Sequence, residues 1–372
     1  MPNRMEAPAS VEAVEVSRRR RYFAWGISLA ITVVWTVAVL VTGSGRRVLD
    51  SWESAVTMLF GSFLAGSSPA GGGSVAFPVF TKVLNVSAPV ARTFGLCIQA
   101  VGMGVAVAAI FLFKRKIHAR ATIVATISAL VGFAAAVLVM GEPDKLFWPS
   151  SIGTPWVKAT FSILLAATSL MMIRHLRHGD HDPAPLSWNH RLESGLVVAA
   201  AIGGFVSALA GTGANIMVFL FLVVVANVNP KVALSSAIIV MAAVSMAGLV
   251  LFGLVDDQLN VVVTDGVVTS VGGFITSLGT SEADLLGLWL AAVPVVVWGA
   301  PLGSLAASLI PERRLVQFVA LLAGIEVITT FILVSELRSD WALLAYLICG
   351  LVALPSLLIA LARHRRTIFA SA

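Results

Sequence analysis

Two short stretches hold most of the groups in this sequence that could handle a small polar solute. The first runs Ser67, Ser68, Pro69, Ala70, Gly71, Gly72, Gly73 and Ser74; the second holds Gly211, Thr212, Gly213 and Asn215. Hydroxyls and the Asn215 amide can donate hydrogen bonds to the oxygens of an oxyanion, and backbone N–H groups beside glycine can do so without a fixed charge. The chemistry that suits them is reversible binding rather than bond making. Three ionisable residues, Lys82, Arg92 and Glu326, also fall in or beside apolar sequence. Charge at such depth costs a few kcal/mol on insertion scales, which makes each a functional candidate. Lys82 and Arg92 either funnel anions or reach out to the headgroups, the reading favoured for Lys82. Glu326 either pairs with Arg92 or takes up a proton and couples transport to a proton gradient. Gln99 is read as an interhelical hydrogen-bonding group.

The elements that must position these groups are broken helices. GSFLAGSSPAGGGSVAFPVFTKVLN (residues 61–85) is two apolar runs, neither of which reaches the ~20 residues of a comfortable membrane-spanning helix. Pro69 lacks an interior helical donor, and Gly71 to Gly73 permit close backbone approach. Irregular backbone survives in lipid only when buried in protein or lining a cavity. A helix starting near Ser74 would aim its free N–H groups and positive dipole end into the break, which suits an anion. The competing reading is that the glycines serve tight helix packing.

A second copy follows at a constant offset of 142 positions (227 minus 85): Phe63 matches Phe205, Gly71 matches Gly213, and Asn85–Val86 matches Asn227–Val228. Broken hydrophobic segments at corresponding places in two halves point to a transporter's binding site. The sequence therefore predicts an all-α polytopic membrane protein built from two inverted repeats, each with a broken-helix hairpin.

Composition agrees: 58% of the 372 residues are hydrophobic and 12% charged, about half the charged share of a soluble domain. The net charge of +6 is spread over short basic clusters between apolar runs, so it reports orientation and not nucleic-acid binding. The expected organisation is a disordered cytoplasmic tail (1–17), an extra N-terminal transmembrane helix (18–50), and a first repeat (51–174) with its hairpin at 52–84. A cytoplasmic linker (175–191), a second repeat (192–335) with its hairpin at 192–226, and a C-terminal transmembrane helix with a basic tail (336–372) follow. Trp148 and Trp156 are read as interfacial anchors. The acidic segment holding Asp256, Asp257, Asp265, Glu282 and Asp284 is placed outside, its glycine-rich part a short helix, a β-hairpin or a lid. The positive-inside pattern puts both termini inside a cytoplasmic (inner) membrane.

Cys97 and Cys349 suggest neither a disulfide framework nor a thiol metal site. The histidines lack metal-ligand spacing, and neither a nucleotide-binding loop nor a nucleophile–base pair occurs. No cofactor, no metal and no enzymatic activity are expected; the partners are the bilayer and a small anion, and a homo-oligomer is compatible with the sequence.

GGGSVAFPVF (71–80), the second glycine-containing copy, and Pro301–Leu302–Gly303 running into PERRLVQFVALLAG (311–324) resemble the TauE/SafE family of sulfite exporter-like permeases. The resemblance covers roughly Trp52 to Val334 and implies a substrate such as sulfite, a sulfonate or another small organic anion. The second copy departs from the pattern, since GTGANIMVFLF lacks the glycine triplet and the proline. The expectation is a secondary transporter for a small sulfur-containing or organic anion, working by alternating access at a midplane site between the two tips. The alternatives are a carrier or channel for a cation or neutral solute and, from another class, a membrane scaffold or intramembrane enzyme.

Overall fold

The computed structural model describes residues 11–140, 154–177, 188–255, 261–264, 267–271 and 284–369. Thirteen helices are described: α1 (Val11–Val41), α2 (Gly45–Asp50), α3 (Trp52–Ser67), α4 (Gly73–Pro78), α5 (Ala88–Leu112), α6 (Ala119–Met140), α7 (Thr154–Arg177), α8 (His190–Ala210), α9 (Ala214–Leu220), α10 (Pro230–Gly248), α11 (Leu285–Leu309), α12 (Glu312–Leu333) and α13 (Trp341–Phe369). Among the described residues, 8 helices are long and apolar enough to cross a membrane. Between α10 and α11 lie two short antiparallel strands, β1 (Val261–Thr264) and β2 (Val267–Val271), which place a hairpin in the glycine-rich segment.

α4 and α9 widen into π turns, Val79–Val83 and Phe221–Val225, and these end in the same way. Leu84 N–H donates to Val79 O at 3.0 Å and Val86 N–H to Phe80 O at 2.8 Å; Ala226 N–H to Phe221 O at 3.0 Å and Val228 N–H to Leu222 O at 2.8 Å repeat the pattern. Asn85 (φ 53°) and Asn227 (φ 55°) take the left-handed conformation that closes each end. Asparagine is among the few residues that enter this region at small cost, because its short side chain bonds locally. The paired Asn-Val of the sequence is thus a helix-ending device. Proline is not what widens the turns, since Leu220 stands where the first copy has Pro78.

The two halves exchange helices. α3 packs chiefly against α11 and α8 against α6, so each broken element is backed by a helix from the other half of the chain. Both crossings depend on missing side chains. A β-carbon on Gly66 would strike Ala300 O and one on Gly303 would strike Phe63 O; at the other crossing Gly204 faces Ala129 O and Gly132 faces Ala201 O. Small residues that let backbones touch hold helices together in lipid, where no hydrophobic force acts between them.

One apolar core gathers α6, α8, α9 and α10 around Phe133, Phe252 and Leu222. Another joins α4, α5, α7 and α11, with Phe80 and Phe94 ring centroids 4.4 Å apart and Phe77 and Phe161 at 5.8 Å. α5 contributes to both cores and is the central post: 67% of its apolar window is buried, against 17% for α13, which turns most of its surface outward. α1 rides on α11, where Ser28 Oγ donates to Val297 O and Trp35 Nε1 to Leu290 O, both at 2.9 Å. These bonds satisfy polar atoms that lipid cannot.

The first helix starts at Val11, so residues 11–17, read from sequence as a tail, are helical. No glycine or proline stands between Val11 and the apolar run to stop it. The rest of the expected tail, Trp148, the histidine cluster at 178–181, Asp256, Asp257, Asp265 and Glu282 lie outside the described residues.

Candidate functional site

At the first break α3 gives way to extended backbone at Ser68 (φ −135°, ψ 156°), whose N–H and Oγ both bond Leu64 O, at 2.9 and 3.1 Å. Gly71 (φ 74°) then turns the chain, and Ser74 Oγ donates to Gly71 O at 2.6 Å as α4 begins. The second break is shorter, residues 211–213 against 68–72, and turns in a different way. Gly211 (φ 75°) and Gly213 (φ 151°) make the turn, and Ser207 of α8 accepts from Ala214 N–H at 2.8 Å, capping α9 from outside.

The two breaks meet across α5. A β-carbon on Gly71 would lie 2.7 Å from Asn215 Nδ2 and 3.2 Å from Gln99 Oε1. One on Gly73 would lie 2.8 Å from Gln99 Nε2 and 3.0 Å from Thr212 Cβ. Gly71 and Gly73 are therefore glycines because the opposite tip occupies the space a side chain would need. Gly72 instead faces α3, with Gly61 O 3.0 Å from its β position. Gln99 joins the tips, since its Nε2 donates to Gly95 O at 2.9 Å within α5 and to Gly211 O at 2.7 Å in the second break.

Ser67, Ser68, Thr212 and Asn215 are all fully or almost fully buried, and Ser74 is 7% exposed. Ser67 Oγ, Gln99 Oε1 and Asn215 Nδ2 have no hydrogen-bond partner among the described residues. Each such buried orphan costs about 1–3 kcal/mol, a debt that a polar ligand between the tips would remove. Thr212 Oγ1 lies 3.4 Å from Asn215 Oδ1, which orients the amide only loosely.

The ionisable residues are arranged differently from the sequence expectation. Glu326 pairs with Lys82, not Arg92: Lys82 Nζ lies 2.5 Å from Glu326 Oε1 and 2.7 Å from Thr330 Oγ1, and Ser162 Oγ donates to the same carboxylate oxygen at 3.0 Å. Lys82 is 9% exposed, so it turns inward between α7 and α12 and does not reach toward headgroups. Arg92 is completely buried, with its guanidinium 4.3 Å from the centroid of the Phe252 ring and its carbonyl against Gly211.

A family model described as sulfite exporter TauE/SafE matches residues 54–330. The chain belongs to the TauE/SafE family. Its business is therefore membrane transport of a small solute and not enzymatic turnover. No curated protein and no solved structure matches the chain. The TauE/SafE match runs from α3 into α12 and so covers both breaks, α5, and the Lys82–Glu326 pair, leaving α1 and α13 outside it.

Within this TauE/SafE framework, sequence reasoning missed the bridging place of Gln99, the capping of α9 by Ser207, and the Ser162–Thr330 setting of Glu326. Gln99 had a signal, as a lone amide deep in an apolar span, while the others depend on contacts between distant helices. A cavity of about 460 Å³ adjoins the second break, lined by Trp156, Val157 and Thr160 of α7, Phe205, Val206, Leu209 and Ala210 of α8, and Tyr346 of α13. Val206 stands between this cavity and Gly213, where a β-carbon would come within 2.8 Å of it.

Proposed function

We propose that this TauE/SafE chain carries a small sulfur-containing or organic oxyanion, sulfite or a sulfonate foremost, by alternating access at the meeting point of the two breaks. The binding groups are Ser67, Ser68, the backbone of Gly71, Gly72 and Gly73, Ser74, Gly211, Thr212, Gly213 and Asn215. The observation that carries this reading is the juxtaposition itself: two glycine turns pressed together across α5, with unsatisfied buried polar atoms on α3, α5 and α9. Among the described residues, α4, α9 and α11 have no ionisable side chain, so an anion would be held by neutral donors and could leave again.

The basic residues Lys114, Arg115, Lys116, Arg313 and Arg314 at helix ends set the orientation in this reading, with both termini on the cytoplasmic side of the inner membrane and the two copies inverted. The driving force is the anion's own gradient or protons, with Glu326 the candidate for coupling. The cavity beside Val206 gives the second tip an approach from the outer half of the membrane. The deciding experiment is thermal stabilisation of the purified, detergent-solubilised protein against sulfite, sulfate, thiosulfate, taurine, sulfoacetate, acetate, and sodium and potassium chloride. A ligand that binds the folded state raises its apparent stability by mass action. A saturable shift with a sulfur oxyanion or sulfonate is expected; a shift with a cation alone would overturn the reading.

A further inference from the structure

Gln99 stands on α5 between the two breaks and touches both, and its orientation is fixed by its partners. Gly95 O and Gly211 O are carbonyl oxygens that can only accept, so the amide must turn its NH₂ toward them, at 2.9 and 2.7 Å. Its Oε1 is thereby forced toward Gly71, the point where the first break meets Asn215. There it is buried, 1% exposed as a residue, and without a hydrogen-bond partner among the described residues. The site thus offers a ligand a donor, Asn215 Nδ2, together with one acceptor that cannot be flipped away.

An acceptor oxygen facing a fully deprotonated oxyanion puts lone pairs against lone pairs. The same oxygen facing an oxyanion that still carries a proton makes a hydrogen bond. From this contrast, which rests on the oxyanion reading above, we infer that the site takes its substrate as a hydrogen-bond-donating monoanion of the bisulfite type, with Gln99 the residue that distinguishes it from the dianion. A site built to bond a ligand O–H or N–H rejects the analogue lacking it strongly, because its own polar atom is then left unpaired.

The ionisable groups around this point are few, so the ligand's own proton dominates the expected pH dependence. α4, α9 and α11 carry none; α3, α8 and α10 carry theirs in their first turns, as Glu53, as His190, Arg191 and Glu193, and as Lys231. α5 carries the buried Cys97 thiol and Arg92, whose guanidinium lies over Phe252, and Lys82 at the end of the first π turn is tied to Glu326.

The test is calorimetric binding of sulfite and of methanesulfonate to the full-length protein in detergent, across a pH series spanning the second ionisation of sulfite. Affinity for total sulfite should fall about tenfold per pH unit above that ionisation, as linkage requires when only the protonated form binds. Methanesulfonate, a monoanion with no proton to lose there and none to donate, should bind more weakly and with no such slope. In Gln99→Met the sulfite slope should disappear; a full slope in that variant would overturn the role of Gln99. If the variant does not fold, the comparison of the two ligands on the unaltered protein still decides the protonation state. Sulfite affinity that is flat or rises with pH overturns this inference alone, whereas failure of both anions to bind at any pH sinks the oxyanion reading as well.

Discussion

At the scale of single residues, the Lys82–Glu326 pair is the most sharply defined feature. Two charges 2.5 Å apart lie among Ser162, Thr330 and apolar side chains, with side-chain exposures of 2% and 5%. Removing one partner strands the other in a medium that cannot solvate it. Lys82→Met or Glu326→Leu alone should lower stability by about 3–5 kcal/mol, while the double substitution should recover most of the loss. Thermal denaturation of the singles and the double, read as a double-mutant cycle, checks this; additive losses would mean that the two charges are not coupled. All three buried ionisable residues were visible in the sequence as exceptions to an apolar run. Their partners were not, because Lys82 and Glu326 are 244 positions apart and only tertiary packing of the first π turn beside α12 brings them together. Gln99 was seen and its interhelical bond expected, yet nothing local reveals that the bond goes to Gly211.

At the scale of elements, the two π turns show how local sequence can encode a tertiary feature twice. Each ends on an asparagine at positive φ followed by a valine whose N–H reaches back into the widened turn. Asn85→Ala or Asn227→Ala should cost ~1–2 kcal/mol through left-handed strain, whereas Asn→Gly at either place should be close to neutral. Melting temperatures of the four variants separate this backbone effect from loss of a side-chain contact, which would penalise alanine and glycine alike. The helix breaks were legible because glycine and proline punctuate an apolar run in both copies. The means of closing them were less so. The first break uses its own Ser74, while the second borrows Ser207 from the helix before it, seven positions upstream of the N–H it caps. The second copy thus breaks and restarts its helix without the glycine triplet.

At the scale of the whole molecule, the outward surface is apolar in the way a bilayer demands. Leu40 and Val41 on the apolar part of α1, and Leu138 and Val139 on the spanning helix α6, are 75–80% exposed. Hydropathy made these spans plain in the sequence, since it measures the same property that lipid selects. Start positions were harder, as Val11 shows, because helix continues through polar residues when nothing breaks it. The orientation proposed above predicts opposite labelling at two sites. In a background with Cys97→Ser and Cys349→Ser, a Lys116→Cys thiol should react with impermeant maleimide only after the inner face is opened. A Ser339→Cys thiol should react in intact spheroplasts. Labelling of both from the same side would sink the inverted arrangement.

The exchange of helices between the halves also dictates an order of assembly. α3 emerges early in synthesis, but the face holding Gly66 stays uncovered until α11 has been made. α6 likewise precedes α8, the helix its Gly132 is shaped to meet. Insertion must therefore run well ahead of packing, and the nascent first half waits in the bilayer with its helix break unbacked. The two breaks meet only when the second half threads back into the first, so the protein matures as a single interlocked unit and not as a domain followed by a copy.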